Sequence, residues 1–156
     1  MLPEINAPGW NLLLALDHHA REPNAKPAFC HLIPGHSQVD TVTFSDLNRM
    51  ARGMSSLIEN HTDRGARVLL VLPNSIDFVV AFFACLYVGR IPVPVAIPGK
   101  RSSLENLMRI AENAEATALV AEEETIRILR SRDQSVPPRL SKLVCQIGRA
   151  SCRERG

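Results

Sequence analysis

With 156 residues, 46% of them hydrophobic and 22% charged, the chain has the size and composition of one ordinary globular domain, which excludes a disordered, collagen-like or fibrous protein. The formal charge of +2 arises in the last eleven residues, where Arg149, Arg153 and Arg155 outnumber Glu154; residues 1–145 hold 15 basic and 15 acidic side chains. A neutral body offers a polyanion no electrostatic footprint, so no nucleic-acid partner is expected.

The first element is a short amphipathic helix over residues 10–19, where Leu12, Leu13, Ala15, Leu16 and His19 recur near every third or fourth position behind Asn11 as a cap. Pro23 and Pro27 end it. Two extended segments, 28–33 and 39–43, flank the turn-forming cluster Pro34-Gly35-His36-Ser37 and predict a hairpin. Leu47, Met50, Ala51, Met54, Leu57 and Ile58 then mark a long amphipathic helix, with Ser45 placed to cap it and Gly65 to close the turn behind it. Residues 67–72 are apolar after Arg67, the pattern of a parallel strand buried on both faces.

A helix from Ser75 to Gly89 carries Asp77 in its first turn and is otherwise apolar nearly all round, so it is expected to need cover on every side, from beyond this chain. Residues 91–98 alternate Ile91, Val93, Val95 and Ile97 with prolines, which cannot donate to a ladder and so predict a strand at a sheet edge. A capping box of Ser102 and Glu105 opens another amphipathic helix; a strand over 116–121, a helix over 122–130, a Pro137-Pro138 loop and a strand from Leu140 to Cys145 follow. From Arg67 onward strand and helix alternate. The expected fold class is therefore α/β: part of a doubly wound sheet, preceded by a short helix and a β-hairpin.

Cys30, Cys85, Cys145 and Cys152 are widely spaced, and the N-terminus does not read as a secretory leader, so a reduced, cytoplasmic setting is expected. The longest apolar run, Phe78 to Val88, is eleven residues against the ~20 of a membrane-spanning helix. Residues 146–156 have no apolar period. Residues 147–155 resemble the translation of a sequencing adapter, which divides the chain into 1–145 and a non-native tail at 146–156; the other reading is a solvated arginine-rich tail.

Chemistry is hard to find by spacing. Within residues 1–145 the closest glycines are Gly89 and Gly99, so neither a G-x-G-x-x-G nor a Walker loop exists. His18 and His19 are adjacent on a helix and point about 100° apart, which argues against a ligand pair. Ser45, Ser75 and Ser102 are explained as caps, and Cys85, inside the most apolar helix, should be an inert thiol. No catalytic, cofactor-binding or metal-binding residue is expected in this chain.

Thr43-Phe44-Ser45-Asp46-Leu47, Arg67 to Val71, and the run F-F-A-C-L-Y-V-G-R-I-P-V-P-V followed by R-S-S-L-E-N-L-M-R-I-A-E-N-A-E-A-T-A-L together resemble the opening of the adenylate-forming (AMP-binding) enzymes, and within them most closely the fatty-acyl-AMP ligases. The first stretch is similar to that superfamily's T-Y-x-E-L, with Phe and Asp as variants; the second is similar to L-x-A-G-x-x-x-x-P, with Val88 for Ala. Ala84 stands where the ligases usually have Gly. The resemblance runs from Trp10 to Cys145.

It implies a parent enzyme of fatty-acid metabolism, in lipid or polyketide synthesis. Such an enzyme joins a fatty acid to AMP with ATP and Mg, releases pyrophosphate, and hands the acyl group to an acyl carrier protein. It further implies that the phosphate loop, the metal-binding acid, the ribose-binding Asp and the C-terminal Lys lie downstream, so residues 1–145 are the N-terminal part of the large adenylation domain and inactive alone. Ser45 then caps, Leu47 packs, Gly89 ends a helix, and Pro92 and Pro94 hold an edge strand. The residues by themselves leave a second reading open, a self-contained non-catalytic α/β interaction or regulatory module.

Overall fold

The computed structural model describes residues 11–23, 26–32, 39–97, 101–131 and 142–145. The expected turn at 34–37, the Ser102 cap, the Pro137-Pro138 loop and the tail at 146–156 lie outside the described residues or side chains.

Helix α1 (Leu12–Ala20) starts at Asn11, whose side chain accepts a hydrogen bond from the Leu14 N–H at 3.0 Å. Strands β1 (Pro27–Leu32) and β2 (Val39–Thr43) pair antiparallel as the expected hairpin. Helix α2 (Phe44–His61) is capped by Thr43, not by Ser45. Thr43 Oγ1 accepts from the Asp46 N–H at 3.1 Å and donates to Asp46 Oδ2 at 2.8 Å, so the two side chains close the first turn on each other. Thr43 takes this place because β2 delivers it in extended backbone, whereas Ser45 is already helical and exposed.

Strand β3 (Arg67–Val71) is the centre of a parallel sheet, with β4 (Ile91–Pro94) on one side and β5 (Ala118–Ala121) then β6 (Lys142–Cys145) on the other, in the order β4-β3-β5-β6. Side chains alternate across a strand, so β3 serves two cores. Leu69 and Val71, with Leu119 and Ala121, pack beneath helices α4 (Arg101–Asn113) and α5 (Glu123–Arg130). Val68 and Leu70, with Ala118 and Val120, pack on the opposite face against Ile58 of α2 and Ala81, Ala84 and Cys85 of α3 (Ile76–Tyr87). Helices on both faces of a parallel sheet make the doubly wound arrangement, and every residue of β5 is buried accordingly.

Much of helix α3 is covered within the chain: Ile76, Val80 and Phe83 join an apolar cluster with α1, α2 and β2, while Phe78, Val79, Phe82 and Leu86 are half-buried. Helices α1 and α2 close over part of the face turned away from the sheet. Ser75 caps α3, accepting from the Phe78 N–H. At the other end Gly89 adopts φ +66°, and the Arg90 N–H returns to the Cys85 carbonyl at 2.9 Å, a Schellman closure that L side chains resist.

β4 pairs only with β3, at the sheet edge. Its prolines are tolerated because the N–H groups that reach β3 belong to the intervening residues: Ile91 donates to the Ala66 carbonyl and Val95 to that of Leu70. Val93 and Val95 pack against the core under α4, while Ile91 and Ile97 stay exposed.

Candidate functional site

A doubly wound sheet binds its ligands outside the carboxyl ends of its strands, where the chain switches direction. Here the switch lies between β3 and β5, since β3 leads into α3 on one face and β5 into α5 on the other. Leu72-Pro73-Asn74-Ser75 leaves β3 there, and Glu122 leaves β5. A pocket of about 390 Å³ beside this point is lined by Leu72, Pro73, Asn74, Phe78, Ala96 and Ile97. Among the described residues its walls are apolar apart from one amide. Pro73 removes an N–H, the Ser75 hydroxyl oxygen accepts from the Phe78 N–H, and among the described residues no lining side chain is basic. These residues do not fit a nucleotide triphosphate or its magnesium ion, so no chemical step is assigned to them.

One set of polar groups that the fold brings together ties its helices to one another. Asp17 on α1, Asn48 and Arg52 on α2 and Tyr87 on α3 form one network. Arg52 donates to both Asp17 oxygens at 2.9 and 3.1 Å, Asn48 Nδ2 to Asp17 Oδ1 at 2.9 Å, and the Tyr87 hydroxyl lies 2.7 Å from Asn48 Oδ1 and 3.1 Å from Asp17 Oδ1. The Arg52 guanidinium also sits 4.5 Å over the Tyr87 ring. Partial burial pushes the Asp17 carboxyl up, but hydrogen bonds from Arg52, Tyr87 and Asn48, together with the Arg52 charge, outweigh it and hold the group below the usual carboxylate range.

A carboxylate held below its unfolded pKa stabilises the fold above that pKa and loses the contribution as pH falls through the folded value. Asp17→Ala is therefore expected to cost about 2 kcal/mol at pH 7, since three donors lose their acceptor, and the difference from wild type should shrink as pH falls below about 4. Urea denaturation at pH 7 and pH 3 measures both. An equal difference at the two pH values would show that the ionised carboxylate is not what ties α1 down.

Arg90 is buried at 7% exposure. Its guanidinium donates to Thr62 Oγ1 at 3.0 Å and to the carbonyls of Thr62, Glu59 and Val88, at the C-terminal ends of α2 and α3. Beside it burial pushes the Cys85 thiol up to about 12, against a small opposing effect of Arg90, which makes it the inert thiol expected from the sequence. Sequence reasoning missed both the network and Arg90. A lone arginine directly after a helix-ending glycine was the available signal.

Residues 16–154 match the family described as AMP-binding enzyme. The chain belongs to that family. The matched stretch continues past Cys145. Over 114 residues the chain is 26% identical to the medium-chain-fatty-acid (acyl-carrier-protein) ligase JamA of Moorena producens (strain JHB), covering 71% of this chain and 19% of JamA. Over 103 residues it is 28% identical to the long-chain-fatty-acid AMP ligase FadD32 of Mycolicibacterium smegmatis, covering 64% and 16%. The chain thus spans less than a fifth of the length of these two relatives.

The fold is similar to that of the fatty acid AMP ligase from Legionella pneumophila, with a TM-score of 0.73 at 23% identity over 82% of this chain and 22% of that one. This AMP-binding chain accordingly has the α/β fold of the N-terminal part of adenylate-forming enzymes, as its motifs imply. Thr43, in the first of those motifs, is the cap of α2; Leu47 is fully buried; Gly89 ends α3; Pro92 and Pro94 stand on the edge strand. Among the described residues no helix is long and apolar enough to cross a membrane.

Proposed function

We propose that the full-length protein is a cytoplasmic fatty-acid adenylating ligase. The carboxylate of a fatty acid attacks the α-phosphorus of ATP and pyrophosphate leaves; the thiol of an acyl carrier protein then gives up its proton and attacks the carbonyl of the acyl adenylate, forming a thioester as the acyl–phosphate C–O bond breaks and AMP leaves. The observation that carries this reading is the AMP-binding family match over residues 16–154, supported by fatty-acid ligases among the relatives. Within it, residues 1–145 are the N-terminal part of the large domain and 146–156 a non-native tail. They supply scaffold, while the groups that hold ATP and Mg belong to the remainder of the parent.

The test is fatty-acid-dependent exchange of labelled pyrophosphate into ATP. The 156-residue chain is expected to give none. The parent, cloned by extending the natural reading frame past Cys145, is expected to exchange with a fatty acid present and to stop when magnesium is chelated. Exchange by the short chain alone would overturn the assignment of the catalytic parts, and a reading frame that ends soon after Cys145 would favour the non-catalytic module.

A further inference from the structure

Helix α1 ends at Ala20, but the chain keeps turning: the Arg21 N–H donates to the His18 carbonyl at 3.2 Å and the Glu22 N–H to that of His19 at 3.3 Å. This extra tight turn brings Glu22 back over the helix end. Glu22 follows His19 by three residues and His18 by four, the two spacings at which side chains meet across a helical turn. Adjacent histidines that diverge by about 100° can therefore still share a third ligand placed between them. Glu22 Oε1 lies 3.3 Å from His19 Nδ1 and 3.8 Å from His18 Nε2, and the three atoms lie within 4.8 Å of one another.

We infer that His18, His19 and Glu22 form a binding site for a divalent transition-metal ion. An ion with bonds of about 2.1 Å holds tetrahedral ligand atoms about 3.4 Å apart, so the two carboxylate separations already suit it and a small rotation of one imidazole closes the third. The surroundings fix the set. Lys26 Nζ holds the other carboxylate oxygen, Oε2, at 3.1 Å, which leaves Oε1 facing the histidines. The His19 ring rests 4.9 Å from Phe44, and the His18 ring meets it edge-on at 5.3 Å.

The side chains are 40%, 29% and 25% exposed for His18, His19 and Glu22, accessible yet partly walled. His18 and Glu22 line a pocket of about 460 Å³ that leaves room for a fourth ligand such as water. Two imidazoles and one carboxylate select zinc, cobalt, nickel or copper over magnesium or calcium, so the site is separate from the magnesium chemistry proposed for the parent. Arg21 on the pocket wall and Lys26 make it a weaker site than a buried structural zinc.

Titration of the tag-free 156-residue chain with Co(II), followed by visible absorption, and with Zn(II), followed by calorimetry, tests the site. One equivalent of each is expected, with cobalt d–d bands and no thiolate charge-transfer band. Glu22→Gln and His18→Ala should each weaken binding about tenfold or more, while Cys30→Ser, which removes an exposed thiol, should leave it unchanged. Zn(II) should raise the melting temperature of wild type and not of Glu22→Gln. Absence of binding by wild type, binding by either ligand variant as tight as wild type, or a charge-transfer band lost in Cys30→Ser would each overturn the inference. The metal-free melting temperature of each variant confirms that it folds, and His18, the most exposed ligand, is the safer substitution.

Discussion

Replacing Arg90 with methionine is expected to lower the melting temperature by roughly 10 °C, corresponding to about 3 kcal/mol for a chain of this size. Methionine fills the space but leaves the carbonyls of Thr62 and Val88 and the Thr62 hydroxyl without the guanidinium donor, and the Thr62 groups are buried; the Glu59 carbonyl keeps the Thr62 N–H. No carboxylate pairs with Arg90 among the described residues; the negative ends of α2 and α3 balance its charge, which is why one side chain can tie the two helices to the start of β4. Arg90→Lys should recover less than half of the loss, because a single ammonium cannot span two helix ends as a planar guanidinium does. Thermal melts followed by circular dichroism decide it. A shift of less than about 2 °C, or full stability with lysine, would show that the carbonyls find other partners.

The second large effect is alkaline. Cys85 has no solvent exposure, and its thiol is pushed up to about 12 by burial. Tyr87 is pushed up to about 12 by burial first and then by its hydrogen bond to Asp17 and that group's charge. In the unfolded chain a thiol titrates near pH ~8.5 and a phenol near ~10, so above those values the unfolded state gives up protons that the folded state retains. The folded pKa values are raised, so this contribution is complete below the unfolded values and is lost as pH rises toward 12. For Cys85 alone it amounts to about 4 kcal/mol, the work of holding a thiol neutral over some three pH units.

Urea denaturation at intervals between pH 7 and pH 11 should show stability falling from about pH 9. Cys85→Ala should cost about 1 kcal/mol at pH 7, for the small cavity, yet fall less steeply above pH 9, by about one proton in the slope. Parallel slopes for wild type and variant would place the titrating group elsewhere.

Most of the fold was legible because its signals are local. The period of Leu47, Met50, Ala51, Met54, Leu57 and Ile58 made α2 visible: Leu47, Ala51 and Ile58 are buried in the core clusters, Met50 and Met54 pack against them half-buried, and Leu57 alone of the six is exposed. The apolar run after Arg67 identified a strand covered on both faces, and the alternate prolines of residues 91–94 identified an edge, because each pattern has one physical cause. Capping was legible at Asn11 and Ser75 and misjudged at Ser45, since the choice between Thr43 and Ser45 depends on where β2 leaves off, two residues that a pattern cannot separate.

By itself the sequence determined the family, the order of helices and strands and the side each buries, because motif and period are properties of neighbouring residues. Only the tertiary structure decided what the polar side chains do. Asp17 meets Tyr87 across 70 positions and Arg90 meets Thr62 across 28, and no periodicity links residues that far apart. The partial cover over α3 came from α1, α2 and β2 for the same reason. Even the close trio His18, His19 and Glu22 needed the structure, since a helix that ended cleanly at Ala20 would have sent Glu22 away, and the extra turn at Arg21 brings it back.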